Sequence, residues 1–363
     1  MQLLQFFFAL PRGNDSGGNT FVPENKECVG FLFGRPFTWP MVCSLKCRSL
    51  GYVCLAFNGT PGTCICHRAS VAFRTAAGLV LGTYLNWLIV AKRIRHYTIN
   101  AGNSITIPEF LTNRFHDKTN VLNIISSLFI LFFFIFYRAS GFSACAKLFV
   151  SVFNISYGSA LLLGVFVILL YTLLGGFFAV CSTDFIQGSI MFVALVFTAI
   201  FGIAALGGVK DAFQSVAAFG EEFVNPFAAP EGQSISAKEI ISSIGWGLGY
   251  FGMPHILVRF MAIRSSEEVK LSRRIAIFWV IIAMAAALIV GIIGKEYLNN
   301  SLSDALREQV FIESLKGLFP AFIAGIFLCS IFAASMSTAD SQLLVAASAF
   351  SKDVYKPLIK KSF

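Results

Sequence analysis

Between Phe332 and Leu344 the chain reads FAASMSTADSQLL. Ala334, Ser337 and Thr338 stand at i, i+3 and i+4, so a helix puts them on one face. Two hydroxyl oxygens and one backbone carbonyl then point at a common spot. Such hard oxygen ligands form a partial cage suited to a hard cation such as Na⁺. Asp340 lies just beyond, and a carboxylate inside an apolar segment is a functional candidate by default. Plain helix packing competes with this reading, because Ser and Thr are common at membrane helix interfaces. A complete cage also needs oxygens from a second helix.

A second stretch, WGLGYFGMPHILVRFM, runs from Trp246 to Met261. Gly245, Gly247, Gly249 and Gly252 each weaken a helix by about 1 kcal/mol relative to Ala. Pro254 removes a backbone donor and disfavours helical geometry at Met253. Unwound backbone is costly in lipid unless it faces protein or a water-lined cavity, so this segment belongs inside a bundle. Trp246 and Tyr250 are four apart and share a face at α-helical spacing. They could form an aromatic wall for a small amphipathic substrate, with freed amides and carbonyls holding its charged ends, as in the discontinuous helices of secondary transporters. The competing reading is a packing kink, with glycines for close helix contact and the aromatics as interface anchors. His255 and Arg259 lie towards the cytoplasmic end and read as interfacial or snorkelling.

Other chemistry finds little support. His67, His96, His116 and His255 form no H-E-x-x-H motif, and there is no G-x-S-x-G elbow. No Walker sequence appears, which argues against ATP-driven transport as well as against an enzyme.

The elements that must position these residues follow from composition. The chain is 56% hydrophobic and 13% charged, with 40 phenylalanines among 363 residues, and its mean hydropathy is +0.74. A soluble domain is nearer a quarter charged. The chain therefore reads as an all-α polytopic membrane protein. Its net charge of +9 could suggest nucleic acid, but basic loops held against anionic lipid are the better partner. Seven apolar stretches approach the roughly 20 residues that cross a bilayer: Thr75–Ala91, Val121–Ala139, Ala160–Ala179, Asp184–Leu206, Ile240–Ala262, Ile275–Ile293 and Leu318–Phe350. The last must run past the membrane or break. Continuous apolar runs favour helices over a barrel. Basic residues crowd alternate loops: Lys92, Arg93, Arg95, Arg114 and Lys118, then Arg264, Lys270, Arg273 and Arg274, then Lys352, Lys356, Lys360 and Lys361. Excess positive charge marks the cytoplasmic side, which puts the C-terminus in the cytoplasm.

Residues 1–70 differ from the rest. Six of nine cysteines lie between Cys28 and Cys66, and five of eleven prolines precede Gly62. A zinc site from Cys43, Cys47, Cys64 and Cys66 with His67 nearby has unusual spacing. A disulfide-linked external lobe is a second reading. The favoured third is an aberrant segment, from shifted coding, ahead of a membrane core at 71–363. The opening MQLLQFFFAL is too short for a span and lacks a basic leader.

Taken together the segments resemble the sodium:solute symporter family, and within it the proline carriers. The resemblance runs from about Ala76 to Lys361. It is carried by LNWLIVAKRIRHYT, ITIPEFLTNRFHDKTNVL, GGFFAVCSTDFIQGSIM, WGLGYFGMPHILVRFMA and GIFLCSIFAASMSTADSQLLVAASAFSKDVYK. It implies a LeuT-like five-plus-five inverted-repeat fold, here partial, with the seven spans as core helices two to eight. It implies Na⁺-coupled uptake of proline or a similar small amino acid across the plasma membrane, with Na⁺ as the co-transported ion and no organic cofactor. Trp246, Tyr250 and Pro254 match the substrate-lining positions of the broken helix, and Tyr137 matches a substrate-site tyrosine. Ala334, Ser337 and Thr338 match the ion ligands. Asp184 matches a turn aspartate linked to ion access. Two residues depart from the pattern: Met253 replaces a glutamine, and Arg138 puts a charge where a small residue is usual. The resemblance also expects a first core helix before Thr75 and further helices after Phe363. The alternative reading is therefore a non-functional remnant lacking those helices.

Overall fold

The computed structural model describes residues 69–355, apart from 103, 154, 219–224, 226–235, 264 and 298–309. The clustered cysteines and His67 lie outside the described residues, as do Lys356, Lys360 and Lys361. Eleven α-helices, with no strand among them, account for most of the described chain. In order they are α1 (Ala69–Leu85), α2 (Lys92–Asn100), α3 (Ile107–Phe115), α4 (Val121–Phe153), α5 (Tyr157–Ala205), α6 (Val209–Ala218), α7 (Ala237–Gly245), α8 (Pro254–Met261), α9 (Glu268–Tyr297), α10 (Val310–Leu318) and α11 (Ala321–Ser348). Asn86–Ala91 joins α1 to α2 as a π-helical turn, Trp246–Gly252 is a 3₁₀ turn between α7 and α8, and Ala349–Tyr355 continues α11 as a second π turn.

Among the described residues, five helical stretches are long and apolar enough to cross a membrane: Ser70–Asn100, Val121–Ser143, Thr183–Ala205, Glu268–Gly294 and Ala321–Tyr355. Tyr157–Leu170 is a shorter apolar helix, and the stretch expected at Ile240–Ala262 is the interrupted α7–α8 segment. Their outer faces carry bare hydrocarbon: Phe129, Phe133, Leu162, Phe278 and Phe322 are exposed. A water-soluble monomer does not present such a continuous apolar surface, whereas lipid solvates it. The shared core lies where α1, α5, α9 and α11 meet, around Leu79, Leu195, Val280 and Ile331.

One expectation is corrected. The sequence reading separated a third span at Ala160–Ala179 from a fourth at Asp184–Leu206, and the resemblance put Asp184 in the turn between them. The structure carries one 49-residue helix through both. No proline interrupts the run, so every backbone N–H can keep its i−4 partner. At about 1.5 Å per residue the helix rises roughly 74 Å, more than twice the apolar thickness of a bilayer. Asp184 is therefore a mid-helix residue.

The connections on either side of α3 are built by side-chain caps. Thr106 caps α3: its Oγ1 accepts the Glu109 N–H at 3.2 Å, and Glu109 Oε2 accepts the Ile105 N–H at 2.8 Å. The two exchanges form a reciprocal N-terminal cap. Pro108 sits in the first turn, where its missing donor costs nothing, and His116 closes the helix in the left-handed region at φ 54°. Lys352 then donates to Glu109 at 2.7 Å, and Thr106 Oγ1 donates to Asp353 at 3.1 Å. Asn123 of α4 donates to the Asp353 carbonyl at 3.2 Å. These bonds fasten α3 and α4 to the end of α11.

Candidate functional site

The break in the fifth apolar stretch is as local chemistry requires. Met253, ahead of proline, is extended at φ −74°, ψ 111°, and Pro254 opens α8 at its first position. The residues before it wind as a 3₁₀ turn. This changes one sequence expectation. A 3₁₀ helix turns about 120° per residue, so residues four apart point about 120° away from each other. Trp246 is 59% exposed while Tyr250 is 5% exposed. The two aromatics do not share a face.

The unwound segment is held by α1. A Cβ on Gly78 would fall 2.6 Å from Ile244 Cα, and one on Gly82 would fall 2.3 Å from the Gly247 carbonyl oxygen. One further step of four along α1 brings Asn86, whose Nδ2 donates to the Tyr250 carbonyl at 3.0 Å. Positions 78, 82 and 86 thus meet 244, 247 and 250. A ridge of period four on an α-helix is matched to a segment of period three. Asn86 is buried and opens the π turn, a distortion that gathers at functional sites. It satisfies a carbonyl that unwinding had freed. Sequence reasoning missed Asn86. The available signal was its spacing, Gly-x3-Gly-x3-Asn.

On α11, Ala334, Ser337 and Thr338 are all buried. Ser337 Oγ donates to the Ala334 carbonyl at 3.2 Å, and Thr338 Oγ1 donates to the same oxygen at 2.9 Å. The structure therefore gathers the three oxygens around one point. Each hydroxyl spends its proton on the carbonyl and keeps lone pairs that a cation could use. Ser341, one turn on from Ser337, donates to Asp184 Oδ2 at 3.3 Å. Asp184 of α5 and the hydroxyl face of α11 are thus adjacent, and Asp340 is fully buried on the same helix.

His255 and Arg259 depart from the interfacial reading. They are 1% and 7% exposed. Arg259 Nη2 donates to Ser341 Oγ at 2.5 Å and lies 3.4 Å from Asp184 Oδ2. The reason is tertiary: α8 packs against α11, and burying a guanidinium there is tolerable because a carboxylate accompanies it. Tyr137, half-exposed on α4, has the Arg138 guanidinium 5.3 Å from its ring centre, and Arg138 itself is buried.

An interrupted helix beside a hydroxyl-lined partner, inside an apolar bundle, is the construction of a secondary membrane carrier. The comparisons give that class a family. The sodium:solute symporter family matches residues 31–363. The chain is 40% identical over 344 residues to the sodium/proline symporter of Salmonella typhimurium, covering 93% of this chain and 67% of that protein. It is 40% identical over 342 residues to the high-affinity proline transporter PutP of Bacillus subtilis, covering 93% and 71%. Among solved structures, a substrate-bound, outward-open Na⁺-coupled sialic acid symporter superposes with a TM-score of 0.69 at 19% identity, covering 90% of this chain and 67% of that one. The chain belongs to the sodium:solute symporter family. It is a multi-pass membrane protein with that fold, of a family of transporters rather than enzymes. It spans about two thirds of the length of the curated relatives it matches.

Proposed function

We propose that the chain is a secondary active carrier of the plasma membrane that couples Na⁺ entry to uptake of proline or a similar small amino acid. The observation that carries this is the break at Trp246–Gly252, with Tyr250 buried and its carbonyl held by Asn86. Tyr250 and Pro254, with Tyr137, line the amino acid, and Trp246, turned away from Tyr250 by the 3₁₀ winding, stands outside this lining. Ala334, Ser337 and Thr338 hold Na⁺ through hard oxygens. Asp184 and Asp340 lie beside that face and attract the cation on its way. The crowding of basic residues at 92–118, 264–274 and 352–361 supports a cytoplasmic C-terminus.

Coupling follows from linkage. Na⁺ and substrate favour the same arrangement of α11 and the broken segment, so each raises the affinity for the other. An inside-negative potential of about 100 mV contributes about 2.3 kcal/mol per charge moved inward. The test is uptake of labelled proline by vesicles in Na⁺ and in choline media. Uptake should depend on Na⁺, and Thr338→Ala should raise the Na⁺ concentration for half-maximal uptake about tenfold, the effect of losing about 1.4 kcal/mol of binding. Equal uptake in the two media refutes the assignment.

A further inference from the structure

Three cations stand together near the start of α9. Lys270, Arg273 and Arg274 are three and four residues apart, so one face of the helix carries them. Lys270 and Arg274 are exposed and Arg273 is half-buried. Glu267, one turn before Lys270, offsets part of their charge. None of the three makes an ion pair among the described residues. Hydrocarbon runs on from them along the same face. Phe278 and Ile281, four and seven residues beyond Arg274, are 70% and 50% exposed.

The neighbouring helix adds a second stripe. α1 packs against α9, and its Leu81, Tyr84 and Leu85 are exposed. The two stripes meet at Tyr84, whose ring centre lies 5.7 Å from the Arg273 guanidinium carbon. That is within the range of a cation–π contact. The ring therefore holds the guanidinium at the seam between α1 and α9. This is the outer face of α1. Gly78, Gly82 and Asn86, on its inner face, hold the broken segment.

We propose that the α1–α9 seam is a binding site for an anionic phospholipid, with the phosphate on Lys270, Arg273 and Arg274 and the acyl chains along the two apolar stripes. Charge and hydrocarbon on one continuous surface select the occupant. A soluble anion satisfies the cations but leaves the stripes uncovered. A zwitterionic lipid covers the stripes but brings a cation of its own to three others. An anionic lipid matches both, and basic residues at the membrane surface attract it. A guanidinium presents two parallel N–H donors to a phosphate. One already oriented over an aromatic ring loses less freedom when it does so. The site uses neither the broken segment nor the hydroxyl face of α11, so it is independent of the solute the chain carries.

The experiment uses the full 363-residue chain, purified in detergent and equilibrated with mixed micelles. These hold equal amounts of phosphatidylglycerol and phosphatidylcholine with the same acyl chains. Lipid retained on the protein is counted by native mass spectrometry. Phosphatidylglycerol should be retained about tenfold over phosphatidylcholine. Arg273→Gln and Arg274→Gln should each lower that ratio about fivefold. Tyr84→Leu, which frees the Arg273 guanidinium, should lower it less. Arg273→Lys keeps the charge and should retain most of the preference; it is the fallback if Arg273→Gln does not fold. Lys118→Gln removes an exposed cation between α3 and α4 and should leave the ratio unchanged. Equal retention of the two lipids overturns the site. So does a loss in Lys118→Gln as large as that in Arg273→Gln, the mark of diffuse attraction to a basic surface. Displacement of phosphatidylglycerol by an equal concentration of sn-glycerol 3-phosphate overturns the lipid as its occupant.

Discussion

Gly82→Ala probes the contact on which the broken segment rests. The added Cβ would sit 2.3 Å from the Gly247 carbonyl oxygen and 2.5 Å from Gly247 Cα. The first distance is about 1.1 Å short of ordinary van der Waals contact, which begins near 3.4 Å. Both clashing atoms are backbone, so no rotamer change relieves them. The helix and the 3₁₀ turn must separate, and the Asn86–Tyr250 bond, now 3.0 Å, lengthens with them. Overpacking of this kind costs about 1–3 kcal/mol. Loss of the bond leaves a carbonyl without its donor at membrane depth, which adds about 1 kcal/mol or more. Gly249→Ala is the control, because nothing lies within 4 Å of a Cβ there. The assay is thermal melting of the purified protein in detergent, with proline uptake in vesicles. Gly82→Ala should melt lower and take up less proline, with Gly249→Ala close to the parent. If the two variants behave alike, the α1 contact does not set the shape of the break.

Further outcomes follow from the same structure. Asn86→Leu keeps the bulk but removes the donor to the Tyr250 carbonyl; it should cost about 1–3 kcal/mol and raise the KM for proline, and an unchanged KM would separate the bond from substrate binding. Arg259→Met leaves the Asp184 carboxylate buried without its guanidinium and should cost about 3–5 kcal/mol, part of which Asp184→Asn in the same chain restores; equal melting of single and double variants would show that the pair is not coupled. Asp117 accepts the Thr119 and Leu122 N–H groups at 2.8 and 2.9 Å, and its hydrogen bonds, that from the Thr119 hydroxyl foremost, hold its carboxyl below the ordinary range. Its support for the start of α4 is therefore present above the usual carboxylate pKa of about 4 and is lost as pH falls through the lower folded value. Amide exchange at Leu122, corrected for its intrinsic pH dependence, should accelerate on acidification in the parent and not in Asp117→Asn.

The sequence by itself determined the features that depend on neighbours along the chain. Apolar runs marked the helices because hydrocarbon has no partner but lipid or other hydrocarbon. Pro254 and the glycines marked the break because their effect on backbone geometry is intrinsic. Ala334, Ser337 and Thr338 could be grouped because the helical repeat brings residues three and four apart together whatever lies outside. Tertiary structure decided the rest. The 3₁₀ winding of Trp246–Gly252 turned Trp246 away from Tyr250, a difference of helix type that residue spacing does not reveal. The union of two expected spans into α5 reflects a run without a strong breaker, carried past the length that one bilayer crossing needs. Asn86 reaches a carbonyl 164 residues away, and α8 is pressed against α11, so that His255 and Arg259 lie buried instead of at the membrane surface. Burial and partnership between distant segments depend on which helices meet, and a local pattern of residues holds no record of that.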